Sequence, residues 1–596
     1  MQDTVCVTGA SGGIGQALLA QLVGRYQVKA LFRTRSAVSA AWESRGGTVV
    51  CGDLADEAAL AQLVEGARFV FHCAALVTPA AYAEAYAINV EGTRRLARLA
   101  AGRGCQRLVH VSSIAAYSGT AVAGDFTEDL ALDRREDMAV YALTKLESEL
   151  AVQEASRASR LEYVILRPTS VYGPHTKSHT QIPVEMIRKG LPAIIGDGGG
   201  LTDAVYVDDV ARALVLAAET PAANGETFNI GHEAVTYHDF YAAYGAMLNR
   251  PVRRVPARVV GGLVRFLEVA PGSIRTRTAD VRKGARLLLK MARNVQRYPS
   301  AKAQAVLGYA PAFDLMTGML KTELWLKREA RVGPTEYALD GYGTLPFRPA
   351  AVVHPANEAQ LAQVVRIAGE AGVTVRAIGS LHSSSPVPYT DGVCIVLDRY
   401  RELLGVDGEL VTVQGGMKIR ELNDALASLK LALPVNGAIT AQSVTGAIST
   451  GTHGGSRIYG SVSDTVEAVR LIRADGEIVE IGRSHELFPA VVVSCGLLGI
   501  LSTVTFRCVP AFVLQSRHAV HPAAEVIERF DEIHRRSPYT CVFYFPVNDQ
   551  MEVLDINPVE HAPVEPVAAV PAVAAPGRPF SNTRLGRIAI RGIVRV

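Results

Sequence analysis

Thr4–Gly15 reads TVCVTGASGGIG, an apolar run that ends in three evenly spaced glycines and gives way to the helical stretch QALLAQLVGRY. In such a strand–loop–helix the first glycine (Gly9) permits the turn. The second (Gly12) lets backbone approach a pyrophosphate, and the third (Gly15) lets the helix pack on the strand. A glycine triplet alone is a weak signal; its place between strand and helix gives it weight. Outward to about residue 230, short apolar runs (QVKALFR, RFVFHCAA, RLVHVSS, EYVILRP) alternate with alanine-rich helical runs. That alternation predicts an α/β fold with a Rossmann-type, doubly wound parallel sheet and crossover helices.

The chain has 596 residues, too many for one hydrophobic core. Its formal net charge of +3 creates no global field for nucleic acid. The eight cysteines are scattered without a CxxC pair, which predicts reduced thiols, no disulfide framework and no metal site. A strand beginning at Thr4 leaves no room for a signal peptide. No apolar run reaches the ~18 residues of a membrane span. A cytoplasmic protein acting on small molecules is expected.

Composition divides the chain into a Rossmann domain (1–230), a mostly helical substrate lobe (231–328) and a Gly/Pro-rich linker (329–348). A second α+β pattern covers 349–512, the start of a further domain 513–555, and a Pro/Ala-rich tail, expected to be disordered, 556–596. Residues 251–297 are rich in arginine and lysine. They allow peripheral contact with an anionic surface, against the plainer reading of a solvated helical lobe.

YALTK holds Tyr141 and Lys145 in a helical run, and a spacing of four puts both on one helix face. A phenol is a poor base at neutral pH, and an adjacent ammonium is expected to lower its pKa. Such a pair can move the proton of an alcohol while a nicotinamide exchanges the hydride. In isolation a tyrosine and a lysine four apart is a common surface pair. Ser113, in HVSSIAAYSG after a strand, is placed to hydrogen-bond a substrate oxygen. The second strand ends in LFRTR, where NAD binding calls for a carboxylate; Arg33, with Arg35 nearby, suits the 2′-phosphate of NADP(H) instead. Asp53, in CGDLAD, ends the third strand, in reach of an adenine.

These motifs, with INVEGT (88–93), LRPTSVYGP (166–174), VYVDDVARA (205–213) and FNIGH (228–232), resemble the extended short-chain dehydrogenase/reductase family, including its epimerases and dehydratases. The resemblance implies Ser113, Tyr141 and Lys145 as the catalytic triad, with Tyr141 as acid/base. Ser113 is preferred to Ser112 because it stands four residues before Tyr117. The resemblance also implies NADP or NAD contacts from Gly9, Ser11, Gly12, Gly13, Ile14 and Gly15. Further contacts are implied at Arg33, Asp53, Leu54, Ala74, Ala75, Asn89 and Pro168, besides Tyr141 and Lys145. It implies a homodimer through the helices that include the Tyr–Lys helix. GGGLTDAVYVDD lacks the arginine usual in sugar-nucleotide epimerases, which brings it nearer the hydroxysteroid-dehydrogenase branch.

A second glycine-rich pair of loops lies downstream: RAIGSLHSSSP (376–386) and GAITAQSVTGAISTGTHGGS (437–456). Two such loops suit a long ligand with several phosphates, and they lack the spacing of a Rossmann unit. With VEAVRLIRADGEIVE and SCGLLGILSTVTFRCVP they resemble the FAD-binding half of the vanillyl-alcohol-oxidase-type flavoproteins. Within these they look most like the gulonolactone and arabinonolactone oxidases. That resemblance implies FAD contacts from Gly379, Ser380, Leu381, His382 and Ser383. It implies others from Ser443, Gly446, Thr450, Gly451, His453 and Gly454. It also implies a covalent bond from His382 to the flavin. Leu381 stands where the family has glycine, and the family's C-terminal histidine–tryptophan motif is missing. The combined expectation is a fusion of an NADP(H)-dependent dehydrogenase with an FAD-dependent oxidase of a sugar lactone. The alternative is an epimerase/dehydratase with a vestigial flavin half, serving at most as a docking or oligomerisation module.

Overall fold

The computed structural model describes residues 2–559, except 79, 121–123, 136–137, 270–285, 287–288, 290–291, 330–346 and 384–385. The tail was expected from 556, but residues 556–558 complete the strand Gln550–Pro558; 560–596 lie outside the described residues, as do 330–346 of the linker and 270–285, 287–288 and 290–291 of the basic stretch. The chain forms two compact units, 1–333 and 334–596.

In the first unit seven strands form one parallel sheet: β1 (Thr4–Thr8), β2 (Gln27–Phe32), β3 (Thr48–Cys51), β4 (Phe69–His72), β5 (Arg107–Val111), β6 (Glu162–Pro168) and β9 (Thr227–Ile230). Their order is β9-β6-β5-β4-β1-β2-β3. The order reverses between β1 and β4, where a doubly wound sheet opens its ligand crevice. The inner strands β1, β4 and β5 are almost wholly buried, as a sheet covered on both faces requires, while Thr48 and Cys51 of the edge strand β3 are exposed. Helix α1 (Gly13–Leu22) packs Leu18 and Leu22 into one core with Val210 and Leu214 of α3 (Val207–Glu219). A smaller sheet, β10-β8-β7, joins Glu233–Thr236, Leu201–Tyr206 and Ser170–Tyr172. Of the stretch 231–328, helix α5 (Ala301–Leu307) and Tyr309 return to the Rossmann core through Ala303 and Leu307.

The second unit begins with a small parallel sheet, β11-β13-β12 (Ala351–Val353, Val393–Val396, Val375–Ile378). Helix α6 (Glu358–Ala371), capped by Asn357 and stopped by Gly372 at φ +68°, links β11 to β12. An antiparallel five-stranded sheet follows: β14 (Leu403–Asp407), β15 (Leu410–Gln414), β18 (Ile500–Arg507), β16 (Val466–Ile472) and β17 (Ile478–Gly482), in that order. Its apolar face and helix α7 (Ile419–Ser428) close a core of Val411, Val413, Leu422, Leu426, Val469 and Val504. A last antiparallel sheet joins β19 (Leu514–Pro522), β21 (Gln550–Pro558) and β20 (Tyr539–Phe545). It is tied to the rest by backbone: Thr540 N–H donates to Gly455 O at 2.8 Å and Arg457 N–H to Pro538 O at 2.9 Å. A Cβ on Gly455 would collide with the Thr540 carbonyl.

Candidate functional site

The first site lies at the β1–β4 crevice. Gly9 holds φ +71°, and a Cβ there would stand 2.7 Å from Ala74 N, so only glycine fits. A side chain on Gly15 would collide with the Gly9 carbonyl. Gly12 occupies the cap position of α1 and offers no capping side chain. The first N–H groups of α1 therefore lack a side-chain acceptor from the cap, as a pyrophosphate seat requires.

Register stacks polar side chains under this loop. Thr8 pairs with His72 across β1–β4, and His72 with His110 across β4–β5. His72 Nδ1 bonds Thr8 Oγ1 at 2.7 Å and His72 Nε2 bonds Thr93 Oγ1 at 2.8 Å. Thr8 Oγ1 also accepts from Ala74 N at 3.3 Å. Burial holds His72 down at about 3 and lowers His110 as well, so both rings are neutral. Asn89 lies in a π-helical turn, Ala87–Glu91. Its carboxamide accepts from Leu76 N at 2.6 Å and donates to Thr144 Oγ1 at 3.0 Å. That fastens the loop after β4 to helix α2 (Val140–Arg157), which carries Tyr141 and Lys145.

Lys145 Nζ donates to the Val111 carbonyl at 2.7 Å. Burial lowers Lys145 to about 8, against the opposing effects of Cys73 and Glu149. Ser113 follows β5 and hydrogen-bonds Tyr141. The pKa of Tyr141 departs from the expectation: burial raises it, and the opposing influence is Ser113 rather than Lys145, whose ammonium is engaged with Val111. Ser112 points inward and donates to Glu149. Arg33 is exposed at the end of β2 and makes no ion pair with a described residue, whereas Arg35 pairs with Glu43 at 2.6 Å. Asp53 is exposed, and its carboxylate accepts from the Ala55 and Asp56 N–H groups at 2.8 and 3.1 Å. Leu54 is buried beneath Gly92, and Pro168 ends β6. Ser11 and Ile14 flank the glycines at the mouth of α1, and Gly13 faces Thr176. Sequence reasoning assigned no role to His72, His110, Glu149 or Arg167, although all lie in the motifs HCAA, RLVHVSS, YALTKLESE and LRP.

The second site is a cavity of about 300 Å³ in the second unit. Its walls are the loop after β12, the segment around α8 (Val444–Ser449), and residues 495–501. It brings together Gly379, Ser380, Leu381, His382, Ser383, Ser443, Gly446 and Thr450. Gly451, His453 and Gly454 lie outside the lining; His453 is exposed and its Nδ1 is 3.2 Å from the Gly454 carbonyl. A side chain on Gly379 would collide with Ser443 Oγ, so this glycine lets the two loops touch. Ser443 caps α8 by accepting from Gly446 N at 3.3 Å, and Thr450 donates to Gly446 O at 2.9 Å. Leu381 takes a left-handed φ of +55°. Its side chain packs with Phe347, Ile378 and Cys394 beneath the loop, with Tyr389 alongside. Burial, then Lys418, lowers the His382 imidazole. Arg376, Gln442, Cys495 and Gly496 also line the cavity and were not foreseen. No carboxylate is in this lining, and two loops in contact leave room for backbone to approach a dinucleotide; the residues fit FAD. The glycine seat of the first site fits a nicotinamide dinucleotide on the same grounds.

Residues 5–231 match the NAD dependent epimerase/dehydratase family. Residues 349–482 match the FAD binding domain, and 504–595 match D-arabinono-1,4-lactone oxidase. An L-gulono-1,4-lactone dehydrogenase of Mycobacterium tuberculosis is 38% identical over 204 residues, 34% of this chain and 47% of that protein. A putative D-arabinono-1,4-lactone oxidase of Neurospora crassa is 32% identical over 223 residues, 37% of this chain and 40% of that protein. The chain thus spans less than half the length of these curated relatives. A solved structure of MoeE5 in complex with UDP-glucose and NAD is 25% identical, with a TM-score of 0.43, covering 55% of this chain and 99% of that one. Among the described residues no helix is long and apolar enough to cross a membrane.

Proposed function

We propose that this chain, an extended short-chain dehydrogenase/reductase (epimerase/dehydratase) domain followed by FAD-binding and lactone-oxidase domains, is an oxidoreductase with two cofactor sites. The first site transfers hydride between NADP(H) and a hydroxyl or carbonyl compound. The second, holding FAD, oxidises a sugar lactone or a similar alcohol. The observation that carries the reading is Tyr141 hydrogen-bonded to Ser113, one helical turn from the buried Lys145, in the unit whose glycine loop leaves room for a dinucleotide, with a second glycine-walled cavity in the other unit.

At the first site the loop of Gly9, Gly12 and Gly15 would seat the nicotinamide dinucleotide, which would supply the hydride chemistry. Tyr141 Oη gives a proton to, or takes one from, the substrate oxygen. Ser113 holds that oxygen and the phenol in one hydrogen-bonded set. Lys145, one helical turn from Tyr141, holds its buried ammonium on the Val111 carbonyl. Arg33, free of an ion pair with a described residue, favours NADP(H) over NAD. At the second site the loops of Gly379–Ser383 and Ser443–Thr450 would hold the flavin nucleotide, which would supply a hydride acceptor. His382, kept neutral by burial and by Lys418, is a nucleophile suited to a covalent tether. Dimerisation through the Tyr–Lys helix, peripheral contact through the basic stretch 251–297 and a cytoplasmic location belong to the same reading. Exposed Val259, Leu263 and Phe266 on helix α4 (Ala257–Val269), beside Arg258 and Arg265, support the peripheral contact.

An absorption spectrum of the purified protein, then of its acid-precipitated pellet, tests the flavin site. Yellow colour held in the pellet is expected. A protein that stays colourless after incubation with FAD overturns that half of the reading. Oxidation of NADPH in preference to NADH with carbonyl substrates tests the other half.

A further inference from the structure

The cavity lining carries the Arg376 guanidinium beside the neutral His382 imidazole. Arg376 is occupied: its guanidinium donates to the Cys495 and Gly496 carbonyls at 3.3 and 3.2 Å. A further cation stands behind the lining, on Ser380. Lys418 precedes α7, and its Nζ donates to Ser380 Oγ at 2.8 Å. Ser380 lines the cavity and donates in turn to the Ala441 carbonyl at 2.5 Å. The Lys418 backbone bridges Ser443. One residue therefore touches the first loop with its side chain and the second with its main chain.

Lys418 makes no ion pair with a described residue. The nearby Glu421 carboxylate accepts instead from the Lys418 N–H at 3.0 Å and from Arg401 at 3.0 Å. Burial lowers the Lys418 ammonium, opposed by Glu421 and Asp398 and reinforced by Arg401 and Arg420. A half-buried ammonium bonded to one neutral hydroxyl has unsatisfied capacity for an anion.

We propose that Lys418 binds the diphosphate of the dinucleotide held in this cavity. The inference rests on the FAD reading above and adds to it a cation that neither loop supplies. A compact point charge on a flexible stem suits phosphate oxygens. The competing role is a plain cross-link between the loops. A cross-link would serve riboflavin and FAD alike, whereas a diphosphate ligand serves only FAD.

The test uses the full chain carrying His382→Ala, so that no covalent bond forms, and titrates it with FAD and with riboflavin. Adding Lys418→Met should weaken FAD by about 10- to 100-fold and leave riboflavin within about twofold. It should also flatten the salt dependence of FAD affinity. Unchanged FAD affinity, or an equal but partial loss of both ligands, overturns the proposal. Where Lys418→Met abolishes all binding, Lys418→Arg decides: recovered FAD binding supports the proposal and failed recovery overturns it. A His382→Ala protein that binds riboflavin but no FAD overturns this proposal. One that binds neither ligand removes the flavin reading itself, and this proposal with it.

Discussion

Arg167 grips Glu149 through two parallel bonds, Nε to Oε1 at 2.9 Å and Nη2 to Oε2 at 2.7 Å, one helical turn beyond Lys145. Both side chains are buried. Arg167 also donates to the Tyr117 hydroxyl at 2.8 Å and lies 4.6 Å from the centre of that ring. Removing one partner strands the other charge in the core. Arg167→Met should cost about 3–5 kcal/mol, read as a lower urea midpoint for the first unit. A loss under about 1 kcal/mol would mean that water reaches the pair.

Tyr141→Phe keeps the ring and removes the proton carrier. The nicotinamide activity should fall by about 10²- to 10⁴-fold, while the dissociation constant of NADPH, followed by fluorescence, stays within about twofold. Retained turnover would remove Tyr141 from the acid/base role.

Lys145 is lowered to about 8 by burial. Below that pH its ammonium is present, and above it the charge beside Tyr141 is lost. The kcat/KM of the nicotinamide reaction reports the free enzyme, so it should fall as pH rises through about 8. A profile flat to about pH 10 would show that the ammonium persists or is not needed.

His72 is held down at about 3 and His179 at about 4, both by burial. An unfolded histidine titrates near 6.5. Between these values the unfolded chain binds more protons than the native one. Stability is therefore full above about pH 6.5 and is lost as pH falls towards 3, by about 1.4 kcal/mol per pH unit for each such histidine. His72→Gln should flatten this slope in urea unfolding at pH values between about 4 and 6.5; an unchanged slope would place the acid sensitivity elsewhere.

Leu381 combines a left-handed backbone with a side chain packed on Phe347, Ile378 and Cys394. Leu381→Ala loses the packing and keeps the strain, while Leu381→Gly loses the packing and releases it. The alanine variant should be less stable than the glycine variant by about 1 kcal/mol, the reverse of the usual order. Thermal unfolding of the two proteins checks this, and alanine above glycine refutes it.

What was legible in the sequence was local. The glycines of β1–α1 and the pair Tyr141 and Lys145 show their purpose within a single turn or helix. The His72–His110 stack was hidden because it depends on strand register between segments far apart in the chain. The buried bond of Glu149 to Arg167 and the return of Ala303 and Leu307 to the first core are hidden for the same reason. At Leu381 the sequence revealed the missing glycine but not that the side chain turns down into the cluster around Phe347. Lys418 gave no signal, since nothing local distinguishes it from a solvated lysine.

The backbone stitches from Thr540 to Gly455 and from Arg457 to Pro538 bear on how this protein can be cut. A fragment ended near residue 512 would leave the Gly455 carbonyl and the Arg457 N–H without their partners, beside the loop that walls the cavity. The flavin-binding half and the sheet that follows it therefore share one hydrogen-bonded seam. Recombination or cloning between them trades a closed seam for an open edge, and swapped modules need their boundary drawn elsewhere.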